Sequence, residues 1–260
     1  MNESHPIIDL IRKEIEFLTR PVRDFFALSH ADMDIESTWP GIPLVKATLD
    51  MDIRIDRALE SGIHVDPDKY LLTVPAGLSH ENLVMSIIRG RRIAQMIRKG
   101  ICPGPDLSDA ENRRILRWLI VDSEVTVCRV VDNVMFIPDR QRLIEAYKAG
   151  PLKNVWDGYK EALPNNGLTN GDVWLAVAGK LAEDPRNPFA MADEQAAQYG
   201  DDAKRTLPFG WSVRETNQAD NIRLVPHNRS NEVDKLLNAD FGTASAVQPV
   251  PSIPVLRFNL

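Results

Sequence analysis

The chain has 260 residues, a formal net charge of −6 and only two cysteines. Its 43% apolar and 26% charged residues are usual for a globular protein, which excludes wholesale disorder, collagen-like repeats and a disulfide-stabilised scaffold. The first residues lack the basic stretch and apolar run of a secretory signal, and no window approaches the roughly 18 uninterrupted apolar residues of a membrane span. We therefore expect a cytoplasmic protein without a membrane segment.

The first quarter of the chain predicts two helices. Apolar residues between Ile7 and Leu18 recur at steps of three and four, which is typical of an amphipathic helix. Pro21 is expected to interrupt that helix. A second apolar set, from Leu44 to Leu59, predicts another helix that ends at Gly62.

The middle of the chain predicts a strand followed by two helices. The run from Lys69 to Val74 alternates as a strand does. Ser79 is placed to cap a helix, and Ser108 with Glu111 has the form of a capping box for the next one. The valines and threonine between Val125 and Val131 leave a buried strand as an alternative for the second helix.

The remainder divides the chain into two regions, a helical core over residues 1–182 and an acidic, proline-interrupted region over residues 183–260. The core ends in three predicted helices at residues 139–149, 152–163 and 172–181. The second region holds predicted strands at residues 211–215 and 221–225, a helix at 231–237 and a tail that is either an extended docking segment or an edge strand. These elements predict an α+β fold, mostly helical with a few short strands.

Recognisable catalytic motifs are missing. The sequence has no nucleophile elbow, phosphate-binding glycine loop or zinc-protease motif. Two His-x-Asp-x-Asp patterns, starting at His30 and His64, have a spacing that suits a divalent metal, but aspartates in turns are the interpretation we favour. Cys128 lies among valines and is predicted to be an inert core thiol. We expect no enzymatic activity, no metal and no cofactor.

Local charge is the feature that suggests a function. Eight cations lie between Ser86 and Arg117, opposed by three carboxylates: Arg89, Arg91, Arg92, Arg98, Lys99, Arg113, Arg114 and Arg117. Clustered arginine suits phosphate binding, because the planar guanidinium donates two hydrogen bonds and each neutralised phosphate releases counterions. The alternative, that these residues are only the solvated face of an amphipathic helix, stays open.

A strand followed by two helices is also the order of a ribbon-helix-helix unit, in which two chains pair their strands in the major groove of DNA. In this hypothesis Lys69 and Thr73 contact bases, and the phosphates are held by Arg89, Arg91, Arg92, Arg98 and Lys99. The hypothesis predicts a homodimer that binds double-stranded DNA.

Three segments resemble the AcaB-like transcriptional regulators of conjugative plasmids and integrating conjugative elements. The similar segments are Leu18 to Pro21 with Phe25 and Phe26, Trp118 to Asp122 leading to Asp139, and Gly167 to Val173. The resemblance implies a cytoplasmic, dimeric, DNA-binding regulator of genes for conjugation on a mobile element, related to the ribbon-helix-helix proteins.

A different class of function fits the same sequence. The chain is equally consistent with a non-enzymatic assembly subunit of a phage, secretion or conjugation machine, whose helices pack against partners. In this class the C-terminal tail is expected to dock as an added strand, whereas in a DNA-binding regulator the acidic C-terminal region is expected to serve dimerisation or contact with another protein. Sensitivity of binding to salt separates the two classes.

Overall fold

The computed structural model describes residues 6–104, 107–163, 170–185, 188–201 and 256–258. Helices dominate it, and a small sheet completes a mixed α+β fold, as predicted. The elements are α1 (Pro6–Glu36), α2 (Gly41–Lys46), β1 (Asp52–Asp56), β2 (Ile63–Asp66), β3 (Leu71–Pro75), α3 (His80–Arg98), α4 (Asp109–Asp132), α5 (Ile137–Ala149), α6 (Lys153–Ala162), α7 (Asn170–Ala182), α8 (Ala190–Asp201) and β4 (Leu256–Phe258).

Helix α1 runs through Pro21, so the predicted interruption there is wrong. A proline inside a helix removes one hydrogen bond and costs about 3 kcal/mol. Burial of the helix after the proline offsets that cost. Before Pro21, Glu16 pairs with Arg57 at 2.5 Å, and after it Ala31 and Ile35 are fully buried.

The helix predicted over residues 44–63 is also wrong. Helix α2 ends at Lys46, and the chain then forms β1 and β2. In β1 the half-buried Ile53 and Ile55 alternate with exposed charged residues, which is the two-residue period of a strand. The helical spacing of the apolar residues that precede β1, from Leu44 to Leu49, favoured a helix and outweighed this short alternation.

The four strands form one mixed sheet in the order β1-β3-β2-β4. β1 and β3 run parallel, whereas β2 is antiparallel to both β3 and β4. One face of the sheet is buried by Ile63, Val65, Leu72 and Val74, and this face packs on α3. The pairing of β4 with β2 at the sheet margin confirms the edge-strand alternative for the tail.

Helices α3 and α4 form the centre of the molecule and pack against each other. Their predicted N-terminal caps are confirmed: the Ser79 hydroxyl accepts a hydrogen bond from the Asn82 N–H, and Ser108 and Glu111 form a complete capping box. Residues 125–131 are helical, so the strand alternative is wrong there. Their β-branched residues serve as core in a helix that is buried on most of its surface.

The predicted helices α5, α6 and α7 are confirmed within a few residues, whereas α8 was missed in the acidic region. Helix α8 packs on α4 and places Phe189 and Ala196 in the same core, so contacts cross the predicted boundary at residues 182 and 183. The elements predicted over 211–215, 221–225 and 231–237 lie outside the described residues. None of the helices in the described ranges is long and apolar enough to span a membrane.

Candidate functional site

The first predicted phosphate contact, Arg89, is buried between helices. Its side chain is 7% exposed and makes a bidentate ion pair with Glu124, which is fully buried. The hydroxyl of Tyr147 donates a 2.7 Å hydrogen bond to the same carboxylate. Burial opposes the charged form of Arg89, but the Glu124 carboxylate outweighs it and raises the pKa of Arg89. This guanidinium therefore remains charged and is neutralised inside the protein.

The next two arginines of α3 are engaged in the same way. Arg91 is 4% exposed and donates to Asp32 at 2.7 Å and to the Thr48 hydroxyl at 2.7 Å. Arg92 is half-buried and forms a 2.5 Å ion pair with Asp122 of α4. The three arginines therefore tie α3 to α1, to the segment after α2 and to α4. These three arginines were expected on an exposed basic face of α3. In the structure they instead form ion pairs inside the protein.

Three of the remaining four predicted residues lie at the surface, where the end of α3 meets the start of β3. The Arg98 guanidinium lies 4.0 Å from the centroid of the Tyr70 ring and pairs with Asp50. Lys69 precedes Tyr70 in the chain and Lys99 follows Arg98, and both lysines are exposed. Asp66 pairs with Lys69 at 3.0 Å. The structure thus brings these predicted residues to one corner, but carboxylates neutralise part of their charge.

Thr73 lies on the face of the sheet that does not pack on α3. It is half-buried, and the strand register places it directly between Arg54 of β1 and His64 of β2. Arg54 is exposed and pairs with Asp52 at 3.0 Å. This polar row across three strands was not predicted, because neither β1 nor β2 was expected from the sequence.

The predicted ribbon-helix-helix element is wrong as a description of β3. A ribbon requires a strand that has a free edge for the second chain. β3 instead lies between β1 and β2, so its own chain takes both of its edges. The strand, the two helices and their order were predicted correctly, and the neighbouring strands were not.

A polar cleft of about 300 Å³ opens between α1, α3 and α5. Its lining residues are His30, Met33, Asp34, His80, Glu81, Asp139, Arg142 and Leu143. The His80 Nε2 and Asp34 Oδ2 atoms are 2.6 Å apart and join α1 to the start of α3. Within the ranges that the structure describes, no group of three or more His, Cys, Asp or Glu side chains could hold a metal ion.

Residues expected in turns or in the core complete the comparison with the sequence. His30, Asp32 and Asp34 lie on α1 and not in a turn; Asp32 pairs with Arg91, and Asp34 is hydrogen-bonded to His80. In the second pattern, His64 and Asp66 lie in β2, whereas Asp68 lies in a turn. Cys128 is fully buried, as predicted, and burial raises the pKa of its thiol. Such a thiol is a poor nucleophile.

An exposed apolar stripe runs along α1. Val22, Phe25, Phe26 and Met33 are 57%, 66%, 56% and 57% exposed, and at 3.6 residues per turn they share one side of the helix. The rings of Phe25 and Phe26 meet edge to face with centroids 5.9 Å apart. The opposite side of the helix carries Ala31 and Ile35, which are buried. Helix α1 is therefore apolar on two sides, and only one of them packs on the body of the protein.

The sequence contains a heptad pattern of apolar residues that indicates this stripe. Steps of three and four alternate through Ile8, Ile11, Ile15, Leu18, Val22 and Phe25, which is the heptad spacing of a coiled-coil seam. The expectation of a break at Pro21 hid the continuity of this pattern.

No family model, curated protein or solved structure matches the chain. The geometry of these surfaces is therefore the basis for assigning a function.

Proposed function

We propose that the protein is a non-enzymatic assembly subunit that associates with a second copy of itself through α1. The observation that carries this proposal is the stripe of Val22, Phe25, Phe26 and Met33, each more than half exposed. Exposed apolar surface of this extent on a folded protein marks an interaction site more often than chance exposure. A heptad seam is matched best by another helix with the same seam.

Charge along α1 supports a second copy as the partner, in antiparallel orientation. The exposed Arg23 lies near one end of the stripe, and the exposed Glu36 lies at the other. Two antiparallel copies that cross near residues 29 and 30 place Arg23 of each copy beside Glu36 of its partner. Such charge complementarity fixes orientation and register in helix pairs.

The assembly proposal predicts a dimer that depends on the two phenylalanines. We expect Phe25→Ser with Phe26→Ser to raise the dissociation constant of the dimer by at least about a hundredfold. Each buried phenylalanine contributes roughly 1.5–3 kcal/mol, and a two-fold interface contains each substitution twice. Sedimentation velocity across a concentration series measures the effect.

The matched control for this test replaces Trp39 and Leu49, which are 84% and 70% exposed and lie outside α1, with serine. Both variants should keep the wild-type circular dichroism spectrum. A monomeric wild-type protein at all concentrations, or equal dimerisation of both variants, would exclude α1 as the contact.

A second candidate function, DNA binding in the regulation of a mobile genetic element, is favoured by the exposed corner of Lys69 and Lys99 with Thr73 on the adjacent open sheet face. We propose that any DNA contact uses this surface, since Arg89, Arg91 and Arg92 are neutralised internally. Phosphate contacts would position the protein, and Thr73 would contact the bases.

This candidate predicts binding that is sensitive to salt. Lys69→Ala with Lys99→Ala should lower affinity for a duplex and reduce the slope of log affinity against log salt by about 1–2 between about 50 and 200 mM salt. The control with the same charge change is Lys148→Ala with Lys153→Ala, two exposed lysines of α5 and α6. Absence of any mobility shift by the wild-type protein at low salt would reject DNA binding.

A further inference from the structure

The C-terminal strand occupies an edge of the sheet that the body of the chain leaves available. β2 pairs with β3 on one side, and β4 pairs with it on the other through Ile63 with Phe258, His64 with Arg257 and Val65 with Leu256. Ile63 and Val65 are buried at 2% and 1% exposure, so the margin of the sheet at this point belongs to the core. An unpaired edge strand there would leave hydrogen-bonding backbone groups without partners.

The C-terminal strand is far in sequence from the helix before it, and its contact is short. Residues 202–255 separate α8 from β4, and three residue pairs join β4 to β2. A contact of three residue pairs opens more readily than a long ladder, so the identical strand of a neighbouring molecule can compete for the same edge.

We propose that the edge of β2 that β4 occupies is a strand-binding site that also takes the C-terminal strand of a second copy of this chain. The same three-residue pairing that the structure shows within one chain would then join two chains. The backbone register favours this occupant over an unrelated peptide, because a copy of the tail can reproduce the observed pairing without any change. Helix α8 also contacts β4.

Cysteines at a directly paired position test the exchange. His64→Cys and Arg257→Cys are made in separate full-length chains and also together in one chain, since these positions are opposite in the antiparallel register. Directly opposite residues in an antiparallel pair lie about 4.5–5.5 Å apart, which is a suitable span for a disulfide. The two single variants are mixed, oxidised and separated on a non-reducing gel.

The expected result is a disulfide-linked heterodimer in the mixture, which excess peptide of residues 251–260 suppresses, and an intrachain disulfide in the double variant. The native Cys128 is fully buried and Cys102 is half-buried; burial raises the pKa of both thiols, and the wild-type chain serves as their control. An intrachain disulfide without any heterodimer would overturn the exchange. Lack of a disulfide in the double variant would overturn the pairing itself.

This inference is independent of the α1 proposal. A heterodimer formed by chains that also carry Phe25→Ser and Phe26→Ser would show that strand exchange persists when the α1 contact is lost. The two contacts use different elements, so one copy can bind two neighbours. That property is what an assembly subunit requires.

Discussion

Replacing Glu124 with glutamine is expected to destabilise the fold by about 3–5 kcal/mol. The substitution keeps the volume of the side chain and removes its charge, so the Arg89 guanidinium stays in the core without its carboxylate. Arg89 is 7% exposed and cannot regain water without opening the contact between α3 and α4. Tyr147 also loses the charged acceptor of its 2.7 Å hydrogen bond. Urea unfolding followed by circular dichroism measures the loss.

The control for Glu124→Gln is a substitution in an arginine–carboxylate ion pair that is exposed to solvent. Asp52→Asn breaks the pair with Arg54, whose side chains are 58% and 67% exposed, and should change stability by less than about 1 kcal/mol. Replacing both members of the buried pair, Arg89→Met with Glu124→Leu, should recover most of the loss, since well-packed apolar residues often substitute for a buried ion pair. Equal effects of Glu124→Gln and Asp52→Asn would show that water reaches the buried pair.

The buried arginines explain why the charge cluster misled the sequence argument. A helix with several arginines on one side has the same sequence whether those arginines face water or a row of carboxylates. The partners of Arg89, Arg91 and Arg92 are 35, 59 and 30 residues away in the chain, so no local pattern connects them. Substituting Arg91 and Arg92 therefore tests stability before it tests DNA binding.

Local signals performed better because the interactions they report are local. The caps at Ser79 and Ser108 involve residues three positions apart, and both helices begin where those serines predict. The sheet depends on contacts between distant parts of the chain. β1 pairs with β3 although β2 lies between them in the sequence, and β4 comes from the far end of the chain. A period of two in five residues was too short a signal to outweigh the helical spacing before it.

Substituting Gly90 in the middle of α3 should show how closely that helix approaches the sheet. A Cβ atom there would lie 2.9 Å from Cγ of Leu72 and nearer still to both of its terminal carbons. Leu72 is fully buried in β3, so its side chain can shift only by disturbing the packing of the core. We expect Gly90→Ala to destabilise the protein by about 1–3 kcal/mol, although alanine is intrinsically better than glycine in a helix by about 1 kcal/mol.

The matched control, Gly179→Ala in α7, should have the opposite sign. A Cβ atom at Gly179 meets nothing within 4 Å, so only the helix propensity remains and stability should rise by up to about 1 kcal/mol. The two changes are chemically identical and both lie inside helices. The sign of the effect therefore depends on the neighbour of each glycine, and thermal or urea unfolding of the two variants measures it.

A double-mutant cycle then assigns the effect of Gly90→Ala to Leu72. Leu72→Ala alone should cost about 2–5 kcal/mol, because it leaves a cavity between β3 and α3. In the Leu72→Ala background the new methyl group at residue 90 occupies part of that cavity, so Gly90→Ala should become neutral or stabilising there. Additive costs in the cycle would contradict a direct contact between residue 90 and Leu72. A favourable coupling instead identifies this contact as the reason that α3 needs a glycine where it crosses the sheet.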